Sequence, residues 1–213
     1  MHCIALGWSA TLFTWIGDWD AVEAMTGRLA AHVSLHGLTP FEAITAAFRA
    51  QTMIARGELE PGIEGLRTAL RRLHADHYEL YASAFVVELS QGLAGLGQLP
   101  EALEVLHDTI ARVEQEGGGF DMPELLRLRG ELEAHSGNLE AADASLALSA
   151  ALAERQGALS WRLRTEMSLV RLRGRQGVQN PTEELAKTYD RFSEGFETAD
   201  LKAARLMLNE RAA

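Results

Sequence analysis

Five arginines crowd one stretch of this chain: Arg162, Arg164, Arg171, Arg173 and Arg175, with Glu166 the one acid among them. In a helix, steps of seven and four return Arg164, Arg171 and Arg175 to the same side. Guanidinium groups so placed can clamp a carboxylate or phosphate through paired N–H donors. The same face can instead be solvated and pair with acids of adjacent helices. A second set recurs in register, with Thr11, Gln51, Gln91, Glu131 and Arg171 spaced 40 residues apart. Long hydrogen-bonding side chains repeated at one position suit a peptide backbone or a polar ligand, and equally suit plain contact with water. Trp15, Arg127, His135, Arg164 and Arg175 neighbour this column. A groove built on it runs from aromatic and neutral-polar to mixed charge and then to basic.

Other chemistry is sparse. His32 and His36 stand at the i, i+4 spacing of a metal-holding pair, but no third ligand stands at a telling distance, and His74 and His77 fare no better. Met1-His2-Cys3 could at most scavenge copper or nickel adventitiously. Cys3 is the one cysteine, which excludes an intrachain disulfide and a cysteine-based zinc cage. Serines lack a recognisable His and acid arrangement, and paired carboxylates form no distinctive local motif. The expectation is a protein without catalytic residues, metal or cofactor. Trp8, Trp15 and Trp19, at helical and turn positions, fit a core better than a ligand cage.

Charge narrows the partners. With 20 Lys+Arg against 30 Asp+Glu, the net charge of −10 opposes broad nucleic-acid binding, which needs a cationic surface. The apolar start from Cys3 to Ile16 has no basic leader, and Gly17-Asp18 ends it too early to span a bilayer. It reads as a core helix, and a reducing cytoplasm suits the lone cysteine.

The elements that must position these groups follow from glycine. Gly17, Gly57, Gly97, Gly137 and Gly177 recur every 40 residues, the first four each followed by a polar and then a large apolar residue. A fixed period of this length marks stacked repeats. Within one unit, Phe85, Val86, Leu89, Leu93 and Leu96 form an apolar helical stripe that Gly97 closes. Pro100 opens the next helix, and Ala102, Leu103, Leu106 and Ile110 form its stripe before Gly117-Gly118-Gly119. Phe41 to Arg56 with Pro61 to Leu73, and Pro123 to Ser136 with Leu139 to Arg155, read alike. Each helix has about 15 residues, or roughly 22 Å. No alternating strand pattern interrupts them, so the fold class is all-α.

Small residues complete the pattern. Seven before the turn glycine stand Ala10, Ala50, Ser90 and Gly130, with Val170 the exception; five after it stand Gly62, Ala102 and Ala142. The first unit reads as one residue short and offers Ala21. Large residues at Leu66, Leu106 and Leu146 fill the space between. This arrangement resembles the tetratricopeptide repeat, with helices lengthened beyond its usual 34-residue period. The resemblance implies a solenoid of about five helical hairpins with a C-terminal capping helix, its concave face lined by the first helices. The chain then forms a single helical-repeat domain over 1–213, with units near 1–36, 37–77, 78–118, 119–157 and 158–213.

A narrower resemblance lies toward the end. Leu125-Leu126-Arg127-Leu128-Arg129-Gly130-Glu131-Leu132, then Arg155-Gln156-Gly157-Ala158 with Trp161-Arg162-Leu163-Arg164, are similar to segments of one group of bacterial regulators. Tyr189-Asp190-Arg191-Phe192 and Glu194-Gly195-Phe196-Glu197-Thr198-Ala199-Asp200-Leu201 are similar to its closing signature. That group joins adenylate/guanylate cyclase-like or winged-helix modules to a predicted ATPase module and a C-terminal helical-repeat region. The resemblance implies that this chain is the repeat region of such a regulator. No phosphate loop, cyclase pair or winged helix accompanies it.

The two ends differ. Ile4, Leu6, Trp8, Leu12, Phe13 and Trp15 surround the first helix, an apolar end that calls for an upstream domain or self-association. At the other end Thr198 can N-cap a last helix whose Leu201, Ala204 and Leu208 face inward while Lys202, Arg205 and Glu210 face water. The expected function is protein–protein interaction by a non-enzymatic module, the regulatory or sensor part of a bacterial signalling or transcription regulator. The alternative is a stand-alone sensor holding a short peptide or small molecule in the groove.

Overall fold

The glycine that closes one helix and the polar residue that opens the next sit side by side. At Gly17 (φ 77°) the backbone turns left-handed, and the N–H groups of Gly17 and Asp18 donate to the carbonyls of Thr14 and Phe13 at 3.0 and 2.9 Å. This satisfies carbonyls at the helix end that would otherwise lack donors. The Asp18 side chain then accepts from the Ala21 N–H at 3.0 Å and starts the next helix. Gly137 (φ 88°) and Asn138 repeat the device, with Asn138 accepting from Ala141 at 3.2 Å.

A computed structural model describes residues 1–209. Among them the first hairpin is α1 (His2–Ile16) with α2 (Trp19–His36), and the second is α3 (Thr39–Ala55) with α4 (Leu59–Ala75). The third is α5 (Ala82–Gly95) with α6 (Leu99–Gln115), and the fourth is α7 (Met122–His135) with α8 (Leu139–Gln156). The fifth pairs α9 (Leu159–Arg175) with the short α10 (Glu183–Tyr189), and α11 (Ala199–Asn209) closes the series. The fold is all-α, five helical hairpins and a last helix. Glu210 lies outside the described residues.

The turns between hairpins follow a second register. Gly37, Gly117 and Gly157 are left-handed, and at the same phase the chain carries His77, held at φ 53°. The repeat register also corrects the first unit. Helices α2, α4, α6 and α8 all begin two residues after the turn glycine, so the counterpart of Gly62 is Val22, which is buried, rather than the half-buried Ala21.

The chain divides into two compact units, Met1–Val105 and Leu106–Ala213. In the first, α1 packs on α2, α3 on α4, and α1, α3 and α5 neighbour one another in series. Its core is aromatic: Phe48 meets Phe85 at 5.0 Å, and Tyr81 lies 5.4 Å from Trp8. The Tyr81 hydroxyl donates to the Ile4 carbonyl at 3.2 Å across a gap that only Gly7 leaves open, since a Cβ there would stand 2.6 Å from that oxygen. Burial, with Tyr78 and Cys3 nearby, pushes the Tyr81 phenol up to about 12. On the outer side of α1, Ile4, Leu12 and Ile16 stay exposed.

Close approach within hairpins explains the small residues. A Cβ on Gly62 would meet Ile54 Cγ1 at 2.5 Å and the Ala50 carbonyl at 2.9 Å; one on Gly130 would meet Leu146 Cγ at 2.7 Å. In the second unit α7 and α9 lie alongside one another with α8 packed against both. Leu163, Met167, Val170, Leu185, Leu201 and Ala204 form its terminal core, joined by the half-buried Leu208. The Thr198 hydroxyl donates back to the Gly195 carbonyl at 2.7 Å.

Candidate functional site

Glu124 and Arg127 occupy one face of α7 at i, i+3, and both are buried, at 5% and 8% exposure. Two ions placed inside a protein must satisfy each other and their remaining valences. Arg127 does so with a fork: Nε and Nη2 donate to the two Glu124 oxygens at 2.7 and 2.8 Å, while Nη1 reaches Glu131 at 2.7 Å. Helix α9 supplies the rest. Arg164 donates to Glu124 at 3.3 Å and to Asp200 of α11 at 2.6 Å, with its guanidinium 5.1 Å from the centre of the Trp161 ring. The Ser168 hydroxyl donates to Glu131 at 2.6 Å, and Arg171 Nη1 reaches the same carboxylate at 3.4 Å.

The result is a row of alternating charge, Asp200–Arg164–Glu124–Arg127–Glu131–Arg171. Burial pushes the Glu124 carboxyl up, but the Arg127 and Arg164 guanidiniums outweigh it and hold its pKa below the ordinary value. Glu131 is lowered for the same reasons, with Arg127, the Ser168 hydroxyl and Arg171 overcoming burial. Burial likewise opposes the charge on Arg127, and the two carboxylates reverse that and raise its pKa. Glu166, also on α9, goes the other way: burial raises its carboxyl despite Arg162 at 2.6 Å.

One end of this row opens into a cleft of about 270 Å³ between α7 and α9, with Leu146 of α8 also lining it. Glu131 and His135 line it from α7, and Ser168, Arg171 and Arg175 from α9. Glu131 is committed to Arg127, Ser168 and Arg171, whereas His135 and Arg175 are exposed and make no hydrogen bond or ion pair with the described residues. The cleft offers hydrogen-bond donors beside an apolar floor. That combination can hold a carboxylate whose neighbouring carbons rest on leucine.

The ten residues selected from sequence therefore part company. Glu131, His135, Arg171 and Arg175 line one cleft, while Arg127 and Arg164 belong to the ion row that joins it. In the first unit Thr11 is buried, its hydroxyl returned to the Gly7 carbonyl at 3.0 Å. Gln51 is buried at 1% exposure with its Oε1 unpartnered, Gln91 is exposed, and Trp15 is half-buried. Sequence reasoning passed over Glu124, Ser168 and Asp200. Glu124 had a usable signal, since Arg164 follows it by one full repeat of 40 residues.

The remaining candidates are placed as follows. The His32 ring meets that of His36 at a tilt, 4.4 Å between centres, and that of His2 edge-on at 4.7 Å. Among the described residues no group of three or more His, Cys, Asp or Glu is arranged to hold a metal ion. His74 Nδ1 meets Glu79 at 2.5 Å. No helix of the described residues is long and apolar enough to cross a membrane.

No described protein family matches the sequence, and no functionally curated protein matches it. Solved structures do. The structure resembles BtubC (BKLC) from P. vanneervenii with a TM-score of 0.62 at 14% identity, covering 94% of this chain and 78% of that one. It also resembles the nearly identical TPR-like repeats of a putative kinesin light chain from Podosopora anserina, with a TM-score of 0.58 at 14% identity, covering 97% of this chain and 95% of that one. A single-substitution form of that repeat protein matches with a TM-score of 0.58 at 13% identity, covering 98% and 95%. The fold is thus tetratricopeptide-like.

Proposed function

We propose that this chain is a non-enzymatic helical-repeat module that binds a protein partner by an acidic segment, in the cleft between α7 and α9. Its setting in this reading is the regulatory part of a bacterial cytoplasmic signalling or transcription regulator, supported by the closing motif from Tyr189 to Leu201. The observation that carries the binding mode is the pair His135 and Arg175. They face the same cleft from adjacent first helices, both are donors, and neither has an acceptor among the described residues. Arg171 adds a third donor, shared with Glu131 at 3.4 Å. A peptide carboxylate would complete the set while its flanking carbons cover Leu146 and Leu172.

The test is fluorescence polarisation with a library of short peptides rich in Asp and Glu, each beside its Asn/Gln counterpart. At least one acidic peptide is expected to bind, to weaken with salt, and to lose about tenfold or more in affinity with Arg171→Met/Arg175→Met, the scale of one or two charge-assisted hydrogen bonds. Equal binding of acidic and neutral peptides, or full affinity in the double variant, would refute the assignment.

A further inference from the structure

Helix α1 carries no Asp, Glu, Lys or Arg over His2–Ile16, whereas among the described residues α2 to α11 each carry at least one. Its outer surface is apolar as well as uncharged. Ile4, Leu12 and Ile16 are 39%, 55% and 46% exposed, Ala5 is exposed, and Trp8 and Trp15 are half-buried. Steps of four and three put Ile4, Trp8, Leu12 and Trp15 on one line, with Ala5 and Ile16 beside it. A helix face that meets only water is normally charged or polar, so this stripe marks a contact surface.

The stripe matches itself when reversed. Laid antiparallel on a second α1 with Trp8 at the centre, Leu12 of each copy falls beside Ile4 and the small Ala5 of the other. The surroundings of its two ends are opposite in chemistry. Beside the start of α1 the His2 and His32 rings lie 4.7 Å apart and the His32 and His36 rings 4.4 Å apart. Just past its end stand Asp18, Asp20 and Glu23, with the Asp20 side chain 98% exposed. Arg56 bonds Glu23 at 2.6 Å and lies 3.6 Å from Asp20, so the acids outnumber it. Antiparallel pairing sets the imidazole N–H donors of one copy against the carboxylates of the other, and a twofold axis makes that match twice. Parallel pairing sets histidine on histidine and acid on acid.

We propose that α1 is a self-association surface, which packs antiparallel on α1 of a second copy of this chain about a twofold axis at Trp8. The apolar stripe supplies the centre of the contact, and the histidine and aspartate ends fix its direction. One helix face about 22 Å long is small for a protein interface, which sets the dimer in the micromolar range. The surface lies in the other unit from the α7/α9 cleft, so it stands or falls independently of peptide binding there.

The experiment is sedimentation of the full chain by analytical ultracentrifugation, up to about 200 μM, with circular dichroism melting to check that each variant folds. The mass is expected to rise with concentration from 23.3 kDa toward twice that value. Leu12→Glu changes an exposed side chain and should hold the chain at the monomer mass throughout. His2→Asp and Asp20→Lys should each weaken the dimer about threefold or more, since each substitution spoils two contacts. Combining them exchanges the two ends and should recover most of that loss. A chain that stays monomeric at the highest concentration overturns the proposal and leaves the face to another chain or domain. So does a dimer that survives Leu12→Glu, or a His2→Asp/Asp20→Lys protein that associates more weakly than either single variant.

Discussion

Replacing Arg127 by methionine tests whether the charge row holds the second unit together. Methionine keeps most of the buried stem and removes the fork that bonds Glu124 at 2.7 and 2.8 Å and Glu131 at 2.7 Å. Glu124 then retains Arg164 at 3.3 Å, and Glu131 retains Ser168 at 2.6 Å and Arg171 at 3.4 Å. Breaking a buried pair from one side leaves an undercompensated buried charge, which costs about 3–5 kcal/mol. In a chain of 213 residues that lowers the melting temperature by roughly 10 °C. The assay is urea unfolding followed by far-UV circular dichroism, at neutral pH and again near the carboxylate range.

The pH dependence fixes the cause. In the native protein the pKa values of Glu124 and Glu131 are lowered, so their contribution is present above the unfolded value of about 4.3 and is lost as pH falls through the lower folded values. Without Arg127, burial is less fully opposed at both carboxyls, and their folded pKa values rise. The variant therefore gains on the native protein as pH drops, and the difference between them narrows. Adding Glu124→Gln to Arg127→Met should reduce the cost below that of Arg127→Met alone, because a neutral amide tolerates burial better than an undercompensated carboxylate. A loss under about 1 kcal/mol at neutral pH, or a difference that stays constant with pH, would refute the reasoning.

Three further outcomes follow from packing and buried polarity. Gly27→Ala in α2 meets no atom within 4 Å and should stabilise by up to about 1 kcal/mol through helix propensity. Gly62→Ala meets Ile54 Cγ1 at 2.5 Å and should destabilise by about 1–3 kcal/mol, despite the same propensity gain; chemical denaturation that ranks the two the other way refutes the close approach of α3 and α4. Gln51→Met replaces a buried amide whose Oε1 has no partner with a thioether of similar length, and should raise stability by about 1 kcal/mol in the same assay. A loss there would mean that Oε1 is satisfied in solution.

What the sequence made legible is what the chain decides locally. The turn at Gly17 needs residues no more than five apart, Phe13 to Asp18, and so its period of 40 could be read directly. The same period fixed hairpin number and the small residues at Ala50, Gly62 and Gly130. The fate of each charge was decided by partners on the same helix and on neighbouring ones together: Arg127 bonds Glu124 and Glu131 of its own α7, while Arg164, Ser168 and Arg171 come from α9. Gln51, Arg127 and Glu131 all look like surface residues by type, yet Gln51 and Arg127 are buried and Glu131 is bound up with three partners.

The period still contained part of that answer. Residues one repeat apart face each other across α7 and α9: Glu124 meets Arg164 and Glu131 meets Arg171, each pair separated by 40 positions. At these two phases the opposite charges read as ion pairs within the protein, not as two ligand groups, whereas Glu133 and Arg173, also 40 apart, do not pair. Of the five arginines from Arg162 to Arg175, those at these phases are thereby taken up within the protein. Arg164 and Arg171 pair with acids one repeat earlier, whereas Arg175 has His135 at that phase. At that phase an arginine stands opposite a histidine instead of an acid, so the acid–base pairing along α7 and α9 stops there, and the proposed peptide carboxylate would supply the acceptor.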